Sequence, residues 1–231
     1  MLSTAIDRLN KRLAKLRFSP PVTHIYNPNV YARAPLDMYL RKYGIQPREV
    51  LMLGMNPGPW GMAQTGVPFG DVSIARDWLK VEAPVKKPKR EHPKRPIDGY
   101  ACERSEVSGA RLWGWARATY GQPEKFFARF FVWNYCPLVF MEDGGKNVTP
   151  DKLPAAEAAP LYAACDEMLL AVVAHFQPRI IVGVGAFAQM RAQLVCPEVK
   201  SGRILHPSPA SPLANKDWAG TAAKQLETLL R

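Results

Sequence analysis

A chain of 231 residues, 47% apolar and 22% charged, has the composition of an ordinary folded protein with one substantial core, so residues 1–231 read as a single domain. The net charge of +11 points to a polyanionic partner, nucleic acid ahead of a membrane surface, although a merely basic solvated surface has the same composition. No apolar run approaches the ~20 residues that span a bilayer, and Cys102, Cys136, Cys165 and Cys196 lack the close pairing of a zinc or iron–sulfur site, which leaves reduced, mostly buried thiols in an intracellular protein.

In chain order, Ile6, Leu9, Leu13 and Leu16 recur at helical spacing among Arg8, Lys11, Arg12, Lys15 and Arg17. This predicts a basic amphipathic helix packed on the domain rather than a transit peptide, because the chain runs into FSPPVTHIYNP without a cleavage-like break. Ser19 to Pro28 reads as extended and Leu36 to Tyr43 as a helix. Val50 to Leu53 reads as a buried strand feeding the loop LGMNPGPWGMAQTGVPFGDV, after which Val72 to Leu79 forms a short helix. From Lys80 to Asp98, Pro84, Pro88, Pro93 and Pro96 forbid a regular helix, and the basic residues there, Lys94 and Arg95 among them, offer a phosphate-contacting arm.

Gly109 to Tyr120 is predicted helical, with Trp113 and Trp115 as core residues rather than base-stacking platforms. Phe130 to Tyr135 reads as a strand, and Ala155 to Phe176 as a helix broken at Pro160. Arg179 to Gly185 is a continuous apolar run of the central parallel type, followed by a helix from Ala186 to Leu194. A short strand ending at Ile204 and Leu205 delivers HPSPASPLANKDW, and the last helix begins near Thr221. Strands alternating with helices predict a three-layer α/β/α sandwich around a mainly parallel sheet. The GVGAF turn lacks the third glycine and the ribose-binding acid of a dinucleotide site, so close strand-to-helix packing accounts for its glycines.

Ligands of α/β proteins sit where loops leave the carboxyl ends of strands. The loop after Val50 to Leu53 carries no ionised group before Asp71, which suits a neutral, planar, amide-bearing molecule. Asn56, Asn134 and His206 stand at three strand ends that a parallel sheet brings to one edge. Singly they read as a turn residue, a strand cap and a loop histidine; together they read as a site.

Their flanks are GMNPGP with TGVPFG, VWNYCPL, and HPSPASPLANKDW, joined by EHPKRPI, SEVSGARLWGW and GQPEKFF. This ordered set resembles the single-strand-selective monofunctional branch of the uracil-DNA glycosylases along nearly the whole chain. The resemblance implies one α/β/α domain that flips uracil, and 5-hydroxymethyluracil, out of single- or double-stranded DNA and hydrolyses the N-glycosidic bond. It implies that Asn56 positions the attacking water, Phe69 stacks on the base, Asn134 reads the pyrimidine's amide edge and His206 hydrogen-bonds uracil O2. Met55 and Gly58 complete the pocket. The segment Pro207, Ser208, Pro209, Ala210, with Lys216 beyond it, enters the duplex. No metal, cofactor, membrane or obligate protein partner is expected, and the protein is placed with the DNA, in nucleoid or nucleus.

Chemistry supports these roles. A primary amide matches both the N3–H donor and the O4 acceptor of uracil, and held in one orientation it rejects cytosine, whose pattern is reversed. Thymine must be excluded by space, and Gly58 supplies no side chain for that purpose. An amide cannot act as a base near neutral pH, so Asn56 only orients water and donors aimed at O2 carry much of the catalysis. The motifs hold no lysine for a Schiff base, Lys216 lying just beyond the last of them. Ala210 stands where the family often has a large or charged wedge, which implies a preference for single strands or mismatches. The rival readings are a non-catalytic sensor of damaged bases and a glycosylase for deaminated purines such as xanthine or hypoxanthine.

Overall fold

The computed structural model describes residues 2–231. Its elements in order are α1 (Leu2–Leu13), β1 (His24–Tyr26), α2 (Pro28–Tyr31), α3 (Arg33–Tyr43), β2 (Val50–Gly54), α4 (Met62–Thr65) and α5 (Val72–Asp77). They continue with α6 (Val107–Tyr120), α7 (Pro123–Phe127), β3 (Phe130–Asn134), β4 (Val139–Met141), β5 (Asn147–Val148) and α8 (Ala155–Phe176). The last four are β6 (Ile180–Val184), α9 (Ala186–Val195), β7 (Lys200–Ile204) and α10 (Pro212–Leu230).

Four strands form a parallel sheet in the order β3-β2-β6-β7. The apolar runs that predicted β2, β3 and β6 are buried along their whole length, as strands covered on both faces must be. Successive side chains on a strand point to opposite faces, and β3 shows what covers each one. Phe130 stacks on Phe126 of α7 with ring centroids 5.0 Å apart, whereas Phe131 stacks on Phe176 of α8 at 4.1 Å. Trp115 of α6 meets Phe130 and also Trp218 of α10, while α1 and α9 pack against α8. The result is the expected three-layer sandwich, with Trp113 and Trp115 in its core. The four cysteine thiols are buried and free.

Several local expectations are corrected. Strands β1, β4 and β5, of two or three residues each, form a separate antiparallel sheet that lies too short for any periodicity to reveal. Helix α8 runs unbroken through Pro160, since the bond Pro160 lacks would fall on Ala156 in the exposed first turns, where water serves the carbonyl. Among the described residues α8 is also long and apolar enough to span a bilayer, against the sequence-based expectation. It behaves as a core helix instead: Cys165, Leu169 and Phe176 are buried, and its Glu167 pairs with Arg8 and Arg12 of α1. Helix α10 starts at Pro212, well before Thr221, capped by Ser211 and kinked where Asp217 leaves helical geometry.

Candidate active site

The chain runs outward from β2 to β3 and, after α8, outward again from β6 to β7. This places the topological switch at the carboxyl ends of β2 and β6, the customary ligand crevice of such sheets. A cavity of about 240 Å³ opens there, lined by Met55, Asn56, Gly58, Phe69, Asn134 and His206 among others. All six base-contacting residues expected from the sequence therefore meet in one place. A larger groove, about 450 Å³, lies between α1 and α8 and is lined by none of these six residues.

The β2–β3 register sets Gly54 opposite Asn134, and the pairing continues as the Tyr135 and Cys136 N–H groups donate to the Gly54 and Met55 carbonyls, 2.9 and 2.8 Å. Gly54 must lack a side chain, because a Cβ there would sit 2.5 Å from the Phe69 ring and would also strike Asn134 Oδ1. Asn134 is only 5% exposed; its Nδ2 contacts Met62 Sδ at 3.3 Å and, among the described residues, its buried Oδ1 has no partner. Buried acceptors are rarely left unpaired, and this one is free to accept from a donor in the cavity.

Phe69 holds a left-handed backbone conformation, φ 55°, which is unusual for a bulky residue. The loop around it is over-determined: Thr65 Oγ1 donates to the Gly70 carbonyl (2.9 Å) and Trp113 Nε1 to the Pro68 carbonyl (3.2 Å). Strain maintained in this manner marks functional loops. Asn56 Nδ2 donates to the Leu138 carbonyl (3.2 Å), which leaves its Oδ1 as the acceptor available to water.

His206 follows β7. The Ser208 N–H donates to its Nδ1 at 3.1 Å, so the neutral ring carries its proton on Nε2. Burial pushes its pKa below the usual histidine value, which favours that neutral form. The loop is braced by Arg111 of α6, which donates to the Pro207 carbonyl (3.2 Å), and by Asn215 of α10, which donates to the Pro209 carbonyl (2.8 Å). Ser208 and Pro209 reach the cavity; Pro207 is buried beneath it, and Ala210 and Lys216 stand exposed outside it.

Lys94 and Arg95 are not on a free arm. Tyr26 donates to the Arg95 carbonyl (2.8 Å) and accepts from the His92 N–H (2.6 Å), and Glu91 Oε1 accepts from the Ile97 N–H (2.7 Å). This braced loop forms a second groove, about 680 Å³, in which the guanidinium carbons of Arg95 and Arg104 lie 5.1 and 4.6 Å from the ring centroid of Trp60. Among the described residues neither guanidinium is in an ion pair, although Asp98 and Glu103 also line the groove.

Sequence reasoning missed four polar lining residues outside its motifs: Glu106, Ser108, Asn147 and Thr149. Glu106 precedes α6 and looks in sequence like an ordinary helix start, while Asn147 arrives on β5, part of the sheet too short to read. Gly58 also has an unexpected reason to be small: a Cβ there would lie 2.5 Å from Glu106 Cδ.

Two amides, an imidazole and an aromatic ring line one cavity, a set of groups suited to a planar, polar heterocycle. The family described as the uracil DNA glycosylase superfamily matches residues 41–227, and the chain belongs to that superfamily, in its single-strand-selective monofunctional branch. The mouse protein named single-strand selective monofunctional uracil DNA glycosylase is 50% identical over 96% of this chain and 81% of its own length. The bovine protein of that name is 50% identical over 96% of this chain and 83% of its own. The crystal structure of wild-type Pedobacter heparinus SMUG2 shares the fold, with a TM-score of 0.69 at 17% identity over 99% of this chain and 97% of that one.

Proposed function

We propose that this protein is a monofunctional uracil-DNA glycosylase that acts where DNA is kept, in nucleoid or nucleus. The observation that carries the reading is the convergence of Asn56, Asn134 and His206 on one cavity in which Asn134 Oδ1 is buried without a partner. A flipped uracil stacks on Phe69, donates N3–H to Asn134 Oδ1 and accepts at O4 from Nδ2. Cytosine would set acceptor against acceptor and leave buried groups unpaired, a strongly discriminating arrangement.

As the glycosidic bond lengthens, negative charge grows on O2 and positive charge on the sugar. His206 Nε2–H is the donor for O2, and as a neutral group it stabilises the leaving anion through a hydrogen bond preorganised by Ser208. Asn56 Oδ1 orients the water that adds to C1′ and gives up a proton to solvent; the base departs as an anion and takes a proton from solvent. The exposed position of Lys216 outside the cavity agrees with hydrolysis rather than a Schiff-base lyase reaction. Arg95, Arg104 and Lys94 supply unpaired positive charge beside the pocket for the phosphodiester backbone, the main source of affinity for DNA.

The test is release of free uracil from a labelled single-stranded oligonucleotide in EDTA, beside Asn56→Ala. Release that the variant abolishes supports the reading. Tight binding without release, or release only of hypoxanthine or xanthine, overturns it.

A further inference from the structure

Among the described residues Glu106 is the sole carboxyl lining the base cavity, and His206 is the only other titratable side chain there. Its backbone is fixed at the start of α6, where Asp71 Oδ2 accepts from both the Glu106 N–H (3.1 Å) and Ser105 Oγ (2.7 Å). The side chain folds back across the loop that follows β2. Oε2 accepts from the Trp60 N–H at 3.2 Å, and the side chain fills the room that Cβ atoms at Gly58 and Gly61 would take. Among the described residues Oε1 has no hydrogen-bond partner, and it is not sealed off in the interior. A brace for Trp60 needs one carboxylate oxygen; the second is left open to the cavity.

The orientation of a bound pyrimidine decides what that oxygen meets. With O2 toward His206 and N3–H on Asn134 Oδ1, O4 faces Asn134 Nδ2, beyond which lies Met62 Sδ. The next ring position past O4 is C5, which falls toward the segment from Gly58 to Met62 and so toward Glu106. We propose that Glu106 is the specificity-determining residue for the C5 substituent: it pairs with a hydroxyl-bearing group through Oε1 and rejects a methyl. A hydroxyl satisfies the open oxygen. A methyl both crowds the carboxyl and removes it from water without a partner, a combination that costs most in a buried site. Burial, with the nearby charge of Asp71, pushes the Glu106 carboxyl up, and a protonated carboxyl can donate to the hydroxyl as well as accept from it.

This inference rests on the uracil-excising reading above. It is tested by single-turnover release from single-stranded oligonucleotides carrying one uracil, one 5-hydroxymethyluracil or one thymine. Glu106→Leu is expected to lower the 5-hydroxymethyluracil rate relative to uracil by about tenfold or more. Glu106→Gln, which can still brace Trp60 and pair with a hydroxyl, should hold that ratio within about threefold. Glu106→Ala should raise thymine release above wild type. If melting shows that the apolar variants do not fold, Glu106→Asp, which withdraws the carboxyl by one methylene, is expected to lower the same ratio. A ratio that stays put while all rates fall together would mean a loop brace only and overturns the proposal. A wild type that releases neither pyrimidine ends the parent reading, and this one with it.

Discussion

Asn134 and Tyr135 are neighbours at the end of β3, and the alternation of a strand sends them to opposite sides. Tyr135 enters a closed cluster: its hydroxyl donates to Asp166 Oδ1 (2.6 Å), and Asp166 also accepts from Arg191 at 2.5 and 2.6 Å. The Arg191 guanidinium lies over the rings of Tyr162 and Tyr135, 4.7 and 5.3 Å from their centroids. Only Arg191 Nε goes without a partner in that cluster. On the other side, Asn134 Oδ1 and Asn147 Oδ1 are buried and unpaired, Glu106 Oε1 is unpaired, and Phe69 is strained. The lesson is that buried polarity alone does not mark a site. A cluster whose groups satisfy one another stabilises the fold, whereas one whose groups await a partner binds.

The two clusters can be separated by experiment. The largest effect is expected at the open one: His206→Leu should lower the single-turnover rate about 10²-fold or more, the usual cost of one such donor. Because burial holds the His206 pKa down, the active neutral form persists as pH falls below its ordinary ~6.5. The acid limb of the rate profile is therefore expected below that point, and a limb above it contradicts the role. At the closed cluster, Arg191→Met should leave uracil release intact while destabilising the fold by about 3 kcal/mol, since it leaves the half-buried Asp166 carboxylate without its cation. In a thermal melt that is a drop of roughly 6–12 °C; an unchanged melt with lost activity would reverse the assignment.

Smaller effects sharpen the comparison. Asn134→Asp should admit cytosine, detected as new cytosine release, because a protonated carboxyl presents the complementary edge. Failure to release any cytosine counts against edge reading. The pair Arg95→Ala with Arg104→Ala should reduce the slope of log affinity against log salt by about two, leaving the rate at saturating DNA within about threefold. Smallest is Ala210→Arg, which adds bulk to an exposed loop tip. Release of uracil from duplex should rise several-fold, with the single-strand rate unchanged.

The sheet and the three polar positions at its strand ends were legible because each rests on local signals. Val50 to Leu53, Phe130 to Val132 and Ile180 to Val182 are apolar without interruption, as doubly covered strands are; Asn56 follows the first and Asn134 ends the second, whereas His206 follows the more exposed β7. What stayed hidden depends on contacts between distant segments. Nothing in EHPKRPI shows that Tyr26 and Glu91 would pin it into a wall rather than leave an arm. Pro160 reads as a breaker unless the exposure of the first turns of α8 is known.

By itself the sequence determined the fold class, the strand ends and the polar residues placed on them, since apolar runs, proline positions and strand-to-loop succession are properties of short stretches. Tertiary structure alone decided which polar atoms are left unpaired, that Glu106 occupies the room beside Gly58, and that Trp60 gathers Arg95 and Arg104. Those facts concern the space between segments far apart in the chain, where a hydrogen bond is made or withheld by packing rather than by local sequence.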